Sequence, residues 1–158
     1  MIKKSLFVIP FLWSFFSYSQ VVINEIDPDT NSTDVKEFIE LKSNIPNFPL
    51  DGYVVVFYNA GSTSPYSGTA SYYSIDLDDL ITDVNGILLL GNLQVSPSAS
   101  YIIPQNTIQN GPDAVAIYLG NASDFPINTL ATATNLIDAL AYSNSGTTSV
   151  TALMSILL

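Results

Sequence analysis

A chain of 158 residues fits one domain plus a short processing segment, with little room for a second core. It contains no Cys, His or Arg, which excludes disulfides, a lipid-anchored cysteine and any Ser-His-Asp or Cys-His nucleophile. Fourteen Asp plus Glu against four Lys give a net charge of −10, a surface that repels phosphate and argues against direct nucleic-acid binding.

Residues 1–19 read as a secretory signal. Lys3 and Lys4 supply a positive start, residues 6–16 are strongly apolar, and Ser17-Tyr18-Ser19 offers the small residues that a signal peptidase reads. The apolar run is too short to span a bilayer comfortably and Pro10 interrupts it, so cleavage after Ser19 is expected rather than an uncleaved anchor. The mature chain then begins at Gln20 and carries two lysines against 14 acids, a net charge of −12. It has no membrane span, and its expected location is secreted or at the cell surface. Dispersed acids of this kind keep an exposed protein soluble and attract cations.

From residue 21 onward, short apolar runs alternate with turn residues. The predicted strands are 21–26, 37–42, 53–58, 72–76, 87–90, 101–103, 114–119 and 136–142, with Asp51-Gly52, Asn85-Gly86 and Asn110-Gly111 between them. Charged residues make up only 11 %, and the polar complement is Ser, Thr, Asn, Asp and Gly, which favour turns over helix interiors. Val115, Ile117 and Leu119 fall on one face of their strand, with Ala114, Ala116 and Tyr118 on the other. Likewise Ile39 and Leu41 oppose Phe38, Glu40 and Lys42. Residues 53–58 are apolar on both faces, as in a central strand covered twice. Residues 62–71 and 121–134 read as longer loops. The sum is an all-β sandwich of about seven to nine strands over residues 20–145. A tail of residues 146–158 follows. Its apolar end is either a last strand or short helix tucked onto the sandwich, or the start of a longer polypeptide, with truncation favoured.

The segments Val21-Val22-Ile23-Asn24-Glu25-Ile26, Glu37-Phe38-Ile39-Glu40-Leu41, Leu50-Asp51-Gly52-Tyr53 and Asn85-Gly86-Ile87-Leu88-Leu89-Leu90-Gly91 stand in an order that resembles the lamin tail domain family. Gln109-Asn110-Gly111-Pro112-Asp113-Ala114-Val115 and Leu136-Ile137-Asp138-Ala139-Leu140-Ala141-Tyr142 resemble its closing strands. The resemblance implies an immunoglobulin-like sandwich and, given the leader, the bacterial secreted branch. Members of that branch often stand beside nuclease, phosphatase or other hydrolase domains. The family carries no catalytic motif to transfer. The implied function is an interaction or adhesion module for an extracellular protein or polysaccharide surface, an accessory to a larger hydrolase or nuclease.

Three candidate sites compete with structural explanations. Asp27, Asp29 and Asn31 alternate like the first half of a calcium loop, but Ser32 replaces the turn glycine and Phe38 stands where the bidentate Glu belongs. A looser Ca2+ site from Asp27, Asp29, Asn31, Asp34 and Glu37 would make the alternative, a calcium-stabilised carbohydrate-binding module. The competing explanation is an Asx-turn loop that uses these oxygens for backbone hydrogen bonds. No cofactor is required. Glu25, Glu37 and Glu40 form a candidate carboxylate pair for a glycoside hydrolase, a third option. Tyr58, Tyr66, Tyr72, Tyr73 and Tyr101 would form a binding platform if exposed. Finally, Asp138 interrupts an apolar run, and if buried it must accept hydrogen bonds from a strand or loop backbone.

Overall fold

The computed structural model describes residues 21–29, 34–61, 68–143 and 150–158. The proposed signal, residues 1–19, therefore lies outside the described residues, as do Asn31 and Tyr66. Eight strands appear among the described residues: β1 (Val21–Asp27), β2 (Phe38–Ser43), β3 (Tyr53–Asn59), β4 (Ala70–Asp76), β5 (Ile87–Gly91), β6 (Tyr101–Ile102), β7 (Asp113–Leu119) and β8 (Leu136–Tyr142). They form two four-stranded sheets, ordered β1-β2-β5-β6 and β4-β3-β7-β8. The protein is an all-β sandwich. Every pairing is antiparallel except β5 with β6.

Alternation along each strand decides what lies between the sheets. Ile39, Leu41, Leu88 and Leu90 from the first sheet meet Val55, Phe57, Ile75, Val115 and Ile117 from the second, all buried. Each such side chain contributes about 1.5–3 kcal/mol by leaving water. The outer face of the second sheet is covered as well. Val54, Val56, Tyr58, Ala114, Ala116 and Tyr118 pack beneath Phe125 and beneath Leu153 and Leu157 of a short helix, α1 (Thr151–Leu157). That double cover explains why residues 54–58 are apolar without a break. The apolar tail thus contains a helix seated on the sandwich. Among the described residues, no helix is long and apolar enough to cross a membrane.

The chain changes sheets twice at one corner, and the two crossings brace each other. Between β2 and β3, Phe48 donates its amide to Thr82 Oγ1 at 2.8 Å, and its carbonyl accepts the Thr82 amide at 3.0 Å. Leu50 N–H reaches the Leu80 carbonyl at 2.9 Å. The crossing between β4 and β5 is therefore paired nearly as a strand would be, and backbone groups inside this corner keep their partners.

Candidate functional site

Among the described residues, no helix packs on the outer face of the first sheet, and a cleft opens there. It begins with a bulge: the pairing of β1 with β2 shifts register between Ile23 and Glu25. The extra residue, Asn24, lets both it and Glu25 stand exposed on the solvent side. Glu25 then lies directly opposite Glu40 of β2, and Asn24 Nδ2 donates to Glu40 Oε1 at 2.6 Å. Glu40 in turn opposes Leu89 of β5, so two carboxylates and an apolar side chain form one row across three strands.

Leu89 points outward yet is only 8 % exposed, because the segment after β5 folds back over the sheet. Gly91 permits this close approach. A Cβ there would stand 3.0 Å from Phe38 Cβ and 3.1 Å from Val95 Cγ2, tighter than side chains normally pack. Phe38, Leu89, Val95 and Pro97, together with Ser96, Glu25 and Glu40, thus line a cleft of about 270 Å3. Like charges placed directly opposite in a sheet are destabilising. Lys42, one pleat further along β2, lowers the carboxyl of Asp83. The carboxylate pair is left facing solvent and the cleft.

The three glutamates grouped by the sequence therefore separate. Glu25 and Glu40 share the cleft, whereas Glu37 follows the parity of Ile39 and Leu41 and is buried. Its Oε2 accepts the Thr107 amide at 3.1 Å, and its Oε1 has no hydrogen-bond partner. Burial pushes its carboxyl above the ordinary range, against the pull of the Thr107 amide and Asn92, and nearby Asp34 pushes it further. Asp113 faces the same interior with one unpaired oxygen, Oδ2, and is 1 % exposed. Burial pushes it up to about 6 in spite of the amides of Ala60 and Gly111. Tyr72 and Tyr142 complete this end of the core, with Gln109 between them. The Gln109 amide donates to Tyr72 Oη at 3.2 Å, and Tyr142 Oη donates to the Gln109 carbonyl at 2.9 Å. Burial, followed by neighbouring groups that include Asp113 and Glu37, holds both phenols well above their ordinary range.

The remaining candidates take the following places. Asp27 ends β1, and its Oδ1 accepts the Asp29 amide at 3.4 Å, the bond of an Asx turn. Asp34 accepts a long bond of 3.5 Å from Asn110 Nδ2. Among the described residues, no three carboxylates gather closely enough to hold a metal ion. The tyrosine platform does not form among the described residues: Tyr58 and Tyr72 are buried in the two cores, and Tyr73 and Tyr101 are half-buried against the inner one. Alternation foretold the outward Phe38, Glu40 and Lys42. It gave no sign of the 92–97 segment, because a backbone fold-back leaves no period in the sequence.

Comparison with known protein families, with curated proteins and with solved structures finds no match.

Proposed function

We propose that the chain is a secreted binding module of immunoglobulin-like, lamin-tail type, without catalysis of its own. It attaches to an extracellular protein surface as an accessory to a larger hydrolase or nuclease. One observation carries the reading. The groups equipped to meet a partner, Glu25 and Glu40, line an open cleft with Phe38, Leu89, Val95, Ser96 and Pro97. The carboxyls whose proton affinity burial displaces, Glu37 and Asp113, are sealed between the sheets, where substrate has no access. The leader and the ordered run of lamin-tail-like segments support the extracellular part.

The test is a turnover screen of the protein against polysaccharide, phosphoester and nucleic-acid substrates. No hydrolysis is expected above the buffer rate. Hydrolysis that disappears in Glu25→Gln or Glu40→Gln would replace the binding module by a carboxylate enzyme.

A further inference from the structure

We propose that the Glu25–Glu40 cleft is a socket for a single arginine side chain presented by a partner protein, a proposal that rests on the binding-module reading above. Size comes first. At about 270 Å3, the cleft has room for one long side chain. The chemistry then narrows the choice. An arginine is an apolar stem ending in a planar cation, and the lining offers both complements: apolar Phe38, Leu89, Val95 and Pro97, and the two carboxylates, with Ser96 beside them. The guanidinium can stack on the Phe38 ring while its donors reach Glu25 and Glu40, which uses both faces of its chemistry at once.

The sheet itself supplies an independent reason. Glu25 and Glu40 are cross-strand partners, an arrangement that repels without a cation between them. The Asn24 amide holds Glu40 in place at 2.6 Å without neutralising it. A guanidinium inserted between the two carboxylates turns that repulsion into attraction. At longer range, 14 acids against four lysines draw a basic partner in and keep phosphorylated or acidic ones out. A neutral sugar would leave both charges unanswered.

The experiment follows backbone amide shifts of the 15N-labelled protein during titration with Nα-acetyl-arginine methylamide. Parallel titrations use the citrulline analogue, which has the same shape without the charge, and maltotriose. Saturable shifts are expected around Glu25, Glu40, Leu89 and Val95 with the arginine probe alone, in the millimolar range. Glu25→Gln and Glu40→Gln should each weaken binding about threefold to tenfold while the remaining spectrum stays in place. Equal shifts from the citrulline probe, shifts scattered over distant acids such as Asp51, Asp78 and Asp79, or a localised response to maltotriose instead would each overturn the socket. No arginine response together with no hydrolysis removes the socket and leaves the binding module standing. Glutamate-dependent hydrolysis removes the module itself.

Discussion

Asp138 Oδ2 accepts the amide of Ile23 at 2.7 Å, and this bond links the two sheets where their open edges meet. β1 ends the first sheet and β8 ends the second, so each has a row of backbone groups without a neighbouring strand. Such rows invite pairing with other chains unless something occupies them. The Asp138 carboxylate occupies one, just before the bulge that delivers Asn24 and Glu25 to the outer face. Removing the acceptor strands a half-buried amide, which costs about 1–3 kcal/mol. Asp138→Ala should therefore lower stability by that amount in urea unfolding and speed hydrogen exchange at the Ile23 amide. Asp138→Asn keeps an acceptor oxygen and should cost less than half as much. Equal, small effects from both variants, with exchange unaltered, would mean that the edge closes by other contacts.

Gly86 makes the turn into β5 with φ at +78°, where side chains are rarely tolerated. Its carbonyl accepts the Ser43 amide at 2.7 Å, so the two backbones lie against each other. A Cβ on residue 86 would overlap the Ser43 carbonyl oxygen. Gly86→Ala should cost at least about 2 kcal/mol, since neither backbone can retreat without breaking the end of the β2–β5 ladder. A shift in unfolding midpoint no larger than that of an ordinary surface substitution would show that the turn re-forms freely.

The strands were legible in two ways: β2 through its alternation of core and solvent sides, and β3 and β5 as short unbroken apolar runs bounded by turn residues. The 136–142 run even carried its own accounting: an Asp among apolar neighbours needed a backbone donor, and Ile23 is that donor. The 72–76 run undershot because β4 starts at Ala70, where pairing with Asn59 and the bridge to Leu130 extend it by contacts remote in sequence. Strand order was not legible, since nothing in alternation says that β5 belongs beside β2. The candidate site divided along the same line. The parity that sent Phe38 and Glu40 outward also sent Glu37 inward, but the Leu89–Val95–Pro97 side of the cleft depends on a fold-back that only tertiary packing determines.

Asn92 anchors that fold-back. It is fully buried, its Oδ1 accepts the Glu37 amide at 2.9 Å, and its Nδ2 donates to the carbonyls of Ile103 at 3.3 Å and Pro104 at 2.9 Å. One amide group thus satisfies three backbone groups from two separate segments. Asn92→Ala removes the partner of the buried Glu37 amide and of the Ile103 carbonyl, while the Pro104 carbonyl keeps the Thr107 hydroxyl at 2.7 Å. It should cost about 2–3 kcal/mol, with amide signals of Glu37 and Val95 displaced together. If only one of the two moved, the segments would be anchored separately.

The pair of buried carboxyls sets an unusual pH dependence. Asp113 titrates near 6 in the folded chain against 3.8 when exposed, so the folded state holds its proton more tightly than the unfolded one. Glu37 is displaced in the same direction. A raised carboxyl contributes stability that is complete below its unfolded pKa and is lost as pH climbs through the folded value. For Asp113 alone, the two-unit displacement corresponds to about 3 kcal/mol lost between acid and neutral pH. Asp83 acts oppositely: the amides of Ile87 and Asn85 hold its carboxyl below the ordinary range, so its contribution disappears as pH falls through that lowered value. Stability should therefore peak in mild acid, and urea midpoints should be higher at about pH 5 than at about pH 7.5. Asp113→Asn keeps an acceptor for the amides of Ala60 and Gly111 but removes the charge. It should stabilise the protein by about 1–2 kcal/mol at neutral pH, after the cost of an unpaired amide, and flatten the slope. A wild-type protein that grew more stable from pH 5 to 7.5 would mean that a cation or water reaches the end of the core and keeps both carboxylates charged.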